Sequence, residues 1–257
     1  MSGARVKNLA REKLPAWLFL LLLLGVWQLC VTRQWIPNYL LPSPRDIVAA
    51  SIDNRADIYA AMLSTLGSIV WGLGLSCVIG IALAVIFFAI PIVRSAVLPF
   101  CIFFQTVPII AIAPLLVIWF GFGTPTVRAS AFIVSLFPIL ANTLTGLQQT
   151  DPLLRELFQL YKPTRLTTIV KLQLPSAVPY ILAGLRIGIG LAVIGAIVGE
   201  FIAGGGIGSL IDSARTQQRV DLVFSGVLMS SVLALLLIFA LDLIARLIMG
   251  RRPYLNR

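Results

Sequence analysis

The chain has 257 residues, of which 59% are hydrophobic and 12% are charged. So few polar side chains exclude an ordinary water-soluble domain and predict an all-α integral membrane protein. The net charge of +10 would suggest nucleic acid in a soluble protein, but in a membrane protein basic residues mark the cytoplasmic side, so we expect no nucleic-acid partner.

Six apolar runs are long enough to cross a bilayer as helices, since a hydrocarbon core of about 30 Å takes about 20 residues. They are residues 14–31, 62–90, 96–120, 129–147, 177–199 and 222–249. The first run continues past Val31 without a small-residue cleavage site, so we interpret it as a retained anchor and not as a secretory signal peptide. The sequence thus predicts six transmembrane helices in one domain, 14–250, with cytoplasmic tails at 1–13 and 251–257.

The distribution of lysine and arginine predicts the direction of the spans. If the N-terminus is cytoplasmic and the spans alternate, 13 of the 20 basic residues lie on the cytoplasmic side, six lie outside, and Arg186 lies within the fifth span. The excess places both termini in the cytoplasm.

The third span contains Pro99, Pro108 and Pro114, with Gln105 and Thr106 just before the second proline. Prolines bend helices and free carbonyl groups, which is tolerated where protein or a water-filled cavity satisfies the backbone. Two interpretations stay open: a helix that lines a translocation pathway, or a kinked helix whose polar side chains bond a neighbouring helix.

The cytoplasmic loop between the fourth and fifth spans, residues 148–176, has the pattern of a helix, a break and a second helix. Asp151 and Pro152 are typical of a helix start, and Lys162-Pro163 predicts a break. We expect a second short helix from Thr164 to Leu172 that ends before the fifth span. Such a loop suits docking of a partner protein, although an amphipathic loop lying on anionic lipid headgroups has the same pattern.

The fifth span carries glycines at four-residue spacing, as Gly184 with Gly188 and Gly195 with Gly199. This spacing indicates close helix contact, either within the chain or across a dimer.

Four polar or charged side chains lie in or near the membrane, where they are costly unless they have partners. Arg186, near the cytoplasmic end of the fifth span, either meets an acidic residue or headgroups, or acts in gating. Glu200, beside residues 204–208, either contacts an external partner or caps a helix. We expect Asp242 to pair with Arg246 one turn later, and Asn142 to face other helices or the pathway.

The absence of histidine excludes Ser-His and Cys-His nucleophile pairs and histidine-based zinc helices. Cys30, Cys77 and Cys101 lie in apolar runs without metal-ligand spacing. We therefore expect no catalytic site, no metal site and no cofactor on this chain.

Several segments resemble the permease subunits of ABC transporters. Glu156 and Leu174-Pro175 have the separation found in the "EAA" loop of these proteins, although Leu157 and Phe158 replace two alanines and Lys162 replaces a glycine. Residues 40–44, 105–123, 174–186 and 195–201 are similar to the nitrate/sulfonate/taurine-type permeases.

The resemblance implies the fold of a type I importer in a bacterial inner membrane. Two permease copies, expected as a homodimer, would sit on two cytoplasmic ABC ATPase subunits and receive solute from an extracytoplasmic binding protein. The chain has no G-x-x-x-x-G-K-[ST] phosphate loop, so ATP and Mg would be bound by the partner ATPase.

This resemblance and the residues together define two candidate sites. The candidate ATPase-coupling loop consists of Glu156, Leu160, Tyr161, Lys162, Pro163, Thr164, Arg165, Leu174 and Pro175. The candidate translocation pathway consists of Gln105, Thr106, Pro108, Asn142, Arg186 and Glu200.

The predicted function is ATP-driven import of a small solute by alternating access. A self-sufficient secondary transporter or channel is the main alternative, and a membrane scaffold is another. Residues 177–180 and 192–196 look closest to permeases for pyrimidine-like vitamin precursors or riboflavin, and the uncharged side chains of the pathway suit a neutral heterocycle. Because Arg186 is positively charged, nitrate, a sulfonate or taurine stay open as alternative solutes.

Overall fold

A computed structural model describes the backbone of residues 2–250 and the side chains of residues 14–247 except 16 and 17. The predicted C-terminal tail, 251–257, lies outside the described residues. Every regular element in the described part is helical, which confirms the all-α prediction. The helices are α1 Ser2–Thr32, α2 Pro44–Asp53, α3 Arg55–Ala89, α4 Pro91–Thr106, α5 Ile109–Phe120, α6 Thr124–Gln148, α7 Pro152–Gln159, α8 Arg165–Thr168, a π-helical turn Ile169–Gln173, α9 Leu174–Ala203, α10 Gly206–Thr216 and α11 Val220–Gly250.

Four helical segments are each long and apolar enough to cross a membrane: α3, α6, the continuous stretch Arg165–Ala203, and α11 from Val220 to Leu247. The bent pair of α4 and α5 makes a fifth candidate, and α1 contributes the shorter apolar segment Leu18–Thr32. Within the described residues the count is therefore four or five, where the sequence predicted six.

The third predicted span is not one kinked helix. It consists of two helices, and the chain bends by 103° between them. The break lies at Val107 and Pro108, whose backbones are extended, with ψ of 123° and 127°. Proline disfavours a helical conformation at the preceding residue and has no N–H to donate, so Pro108 ends α4 and allows a new helix to start in another direction. Pro99 and Pro114 lie inside α4 and α5 without breaking them.

The core of the fold is built on α6, which packs between α3 and α9. One buried cluster includes Ile69 of α3, Ala131 of α6 and Ala192 of α9. A second cluster, nearer the other end of α6, includes Phe87 and Leu144. By contrast, large apolar side chains of α1 and α11 are mostly exposed, as expected of helices that face lipid.

The glycines of α9 bring its backbone against α6, so their contact is within the chain. A Cβ on Gly195 would lie 2.8 Å from the Ser130 carbonyl oxygen, and a Cβ on Gly199 would lie 3.0 Å from the Val127 Cα. Gly184 and Gly188 approach Pro138 and Ile139 in the same way. The tertiary structure thus decides a question that the four-residue spacing leaves open.

We expect Gly195→Ala to destabilise the protein by about 1–3 kcal/mol, because the added methyl overpacks the α6–α9 contact. Gly190→Ala is the matched control, since a Cβ at Gly190 meets no atom within 4 Å and alanine favours a helix. Thermal unfolding in detergent would compare the two. Equal melting temperatures would contradict the packing role of Gly195.

Candidate functional site: a cytoplasmic loop and a membrane cavity

The loop between α6 and α9 begins with a capped helix, as predicted. Asp151 is the N-cap of α7, its Oδ1 accepts a hydrogen bond of 2.9 Å from the Leu153 N–H, and Pro152 occupies the first turn. An acceptor at this position satisfies a free backbone donor, and proline there loses none.

One face of α7 and of the turn that follows it is apolar and uncovered. At 100° per residue, Leu153, Leu154, Leu157, Leu160 and Tyr161 share one side of the helix, and all five are exposed, with Tyr161 at 82% and Leu160 at 76%. We call these five residues the docking face. Such a face stays in contact with water unless a partner or a lipid surface covers it.

Helix α7 ends at Gln159, three residues before the break predicted at Lys162-Pro163. Lys162 has φ of +47°, a left-handed conformation that favours glycine. This is the residue that replaces the glycine of the "EAA" pattern, so the chain adopts the conformation that a glycine would ease even though it has lysine there. The Thr164 hydroxyl then accepts a hydrogen bond of 3.2 Å from the Thr167 N–H and caps α8.

The second helix of the loop does not end before the fifth span. Helix α8 continues through the π-helical turn Ile169–Gln173 into α9. The Leu174 N–H donates to the Ile169 carbonyl five residues earlier, and Pro175 has no N–H to bond the chain before it. The π turn accommodates this missing donor, and α8, the turn and α9 form one continuous helix of 39 residues.

The other residues of the predicted coupling loop lie in α7, in the connection that follows it, and at the starts of α8 and α9. Glu156, Lys162, Thr164 and Arg165 are exposed, whereas Pro163, Leu174 and Pro175 are half-buried. The predicted loop residues thus lie in consecutive elements of the chain between α6 and α9.

A cavity of about 710 Å³ lies where α4 turns into α5, bounded by α6 and α9. Gln105, Thr106 and Pro108, all predicted pathway residues, line it. The remaining lining is apolar and aromatic, and the described residues that line it include none with a charge. Sequence reasoning missed these apolar residues, since lipid-facing and cavity-facing side chains look alike in a sequence; they include Phe104, Ile112, Trp119, Phe137, Leu191 and Ile194.

The other three predicted pathway residues lie elsewhere. The Asn142 Nδ2 donates 2.8 Å to the Pro138 carbonyl of its own helix. Arg186 pairs with Asp242 of α11, so the predicted Asp242–Arg246 pair is wrong.

Glu200 is buried, with 1% of its surface exposed, and it caps α10. Its Oε2 accepts 2.8 Å from the Gly208 N–H, and its Oε1 lies 2.7 Å from the Thr65 hydroxyl oxygen. Thr65 accepts 2.9 Å from the Ile207 N–H, so two side chains satisfy two free donors at the start of α10. Of the two interpretations of Glu200, this geometry favours the helix cap.

Two glycines of the segment beside Glu200, Gly206 and Gly208, are tightly fitted against their neighbours, whereas Gly204 and Gly205 have open space around them. Gly206 has φ of +63°, and a Cβ there would lie 1.9 Å from the Glu200 Oε1. Only glycine allows the backbone to approach the carboxyl group this closely.

The sequence is similar to known membrane transport proteins. Residues 76–252 match the family described as binding-protein-dependent transport system inner membrane component. A formylaminopyrimidine transport permease protein of Halalkalibacterium halodurans is 38% identical, over 88% of this chain and 90% of the relative. A riboflavin transport system permease protein of Chloroflexus aurantiacus is 31% identical, over 95% and 93%, and a taurine transport system permease protein of Escherichia coli is 27% identical, over 88% and 86%.

The family match covers most of the chain, and the relatives are transport proteins and not enzymes. The chain therefore belongs to the binding-protein-dependent transport system inner membrane component family, as an ABC importer permease of the nitrate/sulfonate/taurine type.

Proposed function

We propose that this permease imports a small, neutral, flat heterocyclic solute, and that the cavity between α4, α5, α6 and α9 is part of its path. The observation that carries the proposal is the lining of the cavity: aromatic and aliphatic walls with Gln105 and Thr106 as the polar groups. An amide and a hydroxyl can donate to and accept from the ring nitrogens and carbonyls of a heterocycle, whereas an anion would need a positive partner in so apolar a site.

The names of two relatives support this choice of solute class. The relatives that are 38% and 31% identical are named for transport of formylaminopyrimidine and riboflavin, both heterocyclic, and the relative named for taurine is 27% identical. Nitrate, sulfonates and taurine remain the alternative solutes, for which Arg186 is the available cation.

The docking face supports a cytoplasmic ABC ATPase as partner. Five exposed apolar side chains on α7 and its following turn provide a surface to bind, and the continuous α8–α9 helix, which begins after the break at Lys162-Pro163, provides an element to move. In this proposal two copies of the chain form a homodimer on two ATPase subunits, which bind ATP and Mg. Closure of the ATPases rocks the helices around the path, in alternating access to the two sides of the membrane.

The distribution of basic residues supports the orientation that this mechanism requires. With the loop 148–176 and both termini in the cytoplasm of a bacterial cell, most lysines and arginines lie inside. Helix α10 and the α1–α2 connection then face outward, where an extracytoplasmic binding protein would deliver the solute.

Uptake by the assembled importer tests the proposal. The tagged chain, produced with its partner ATPase and binding protein, is purified from the membrane and reconstituted into liposomes. We expect the ATPase to co-purify, and we expect ATP-dependent uptake of a labelled aminopyrimidine or riboflavin that taurine and nitrate do not inhibit. Uptake that needs no ATPase would instead identify a self-sufficient carrier, and uptake of taurine or nitrate alone would reject the neutral solute.

A further inference from the structure

An ion pair joins two apolar helices, α9 and α11. Arg186 of α9 donates through Nη2 to both carboxyl oxygens of Asp242 of α11. The side chains are 56% and 35% exposed. The pair is therefore in contact with whatever medium fills the space next to α9.

That medium cannot be lipid at low cost. Both residues lie within apolar helices that are long enough to span the membrane, and Arg186 lies nine residues, about 14 Å, inside the predicted fifth span 177–199. Charged groups at such depth are expensive unless they face water or protein. A pair left this open needs water or protein on this side of α9, and we infer that the space is the water-filled part of the path.

The same side of α9 leads from the ion pair to the cavity. Ile187, next to Arg186, and Ile194, two turns further on, are both exposed, and Ile194 with Leu191 lines the cavity. Between them, a Cβ on Gly190 would meet no atom within 4 Å. Within the described residues an uncovered strip thus runs from Arg186 to the cavity wall.

We propose that Asp242 is a specificity-determining residue of the transport path. Its negative charge cancels that of Arg186, so the path carries no net positive charge at this point and does not retain anions. The inference rests on the proposed function for its biological role, because it explains how a path that contains an arginine remains suited to a neutral solute.

Chemical labelling of a cysteine beside the pair tests this inference without any solute. Ile187→Cys is introduced after Cys30, Cys77 and Cys101 are replaced with serine, in membranes that contain the whole importer. We compare the labelling rates of a negatively and a positively charged methanethiosulfonate reagent. We expect both to react, and we expect Asp242→Asn to raise the ratio of anionic to cationic labelling about tenfold, since one uncompensated charge then lies nearby.

Matched variants keep the result interpretable. Arg186→Gln should lower the ratio, because it leaves the Asp242 charge without its partner. The double variant Arg186→Gln with Asp242→Asn should restore the ratio, because it removes both charges together. Leu236→Cys, on the exposed side of α11, is the control for a lipid-facing position and should react with neither reagent.

Three results would overturn the inference. Labelling of Ile187→Cys by neither reagent would mean that the ion pair does not face water. A ratio that Asp242→Asn leaves unchanged would mean that Asp242 does not set the local charge. If the double variant shifts the labelling ratio as much as Asp242→Asn alone does, the cause is altered structure and not the uncompensated charge. A normal shift together with taurine uptake would reject the neutral solute alone and leave the charge assignment standing.

Discussion

Replacement of Glu200 by alanine is expected to cost about 3–5 kcal/mol of stability, and most of the protein should fail to accumulate in the membrane. The change removes the acceptor of the Gly208 N–H and the partner of Thr65 in a site that is 1% exposed. Each buried donor left unpaired costs about 1–3 kcal/mol, and the empty space adds to that. Yield and melting temperature in detergent provide the measurement.

Glu200→Gln is the matched control, because an amide can keep the same network. Its oxygen can accept from the Gly208 N–H, and its NH₂ group can donate to Thr65, whose hydroxyl can in turn donate 3.0 Å to the Ala61 carbonyl. We expect this variant to fold and to transport at close to the normal rate. If Glu200→Gln folds normally but abolishes transport, Glu200 has a role in the path that a helix cap does not explain.

The second large effect is expected at the docking face. Leu157→Asp places a charge in the middle of the five exposed apolar residues, and an interface that buries them would have to desolvate that charge. We expect recovery of the ATPase with the tagged permease to fall at least about tenfold, with ATP-driven uptake lost to the same extent. The permease itself should keep its melting temperature, because Leu157 is exposed.

Gln159→Asp provides the control for this prediction. It adds the same charge two residues later, at an exposed position on the opposite side of α7, and should leave ATPase recovery unchanged. Unchanged recovery with Leu157→Asp as well would contradict docking through this face and would favour the alternative, in which the loop lies on lipid headgroups.

Much of the cytoplasmic loop could be predicted from the sequence because its signals are local. Asp151-Pro152 specifies a helix start through one side chain and one missing donor, and Lys162-Pro163 specifies a break through sterics between adjacent residues. The continuation of α8 into α9 was predicted wrongly, because a proline near a helix start is compatible either with a new helix or with a π turn that spares its absent N–H.

The partners of the membrane charges could not be predicted in the same way. The i, i+4 rule joins Asp242 to Arg246, but Asp242 instead pairs with Arg186, 56 residues away. Likewise, no residue near Glu200 in the chain predicts its hydrogen bond with Thr65, which lies 135 residues earlier. Such pairings depend on which helix faces lie against each other.

The sequence by itself determined that this chain is helical, lies in the membrane and resembles importer permeases, since composition, apolar run length and short motifs are read along the chain. The tertiary structure alone decided that the third apolar run bends by 103° to form a cavity, that the glycines of α9 bind α6, and that Glu200 caps α10. The physical reason is that close packing and burial are set by distances between helices, which residue order does not contain.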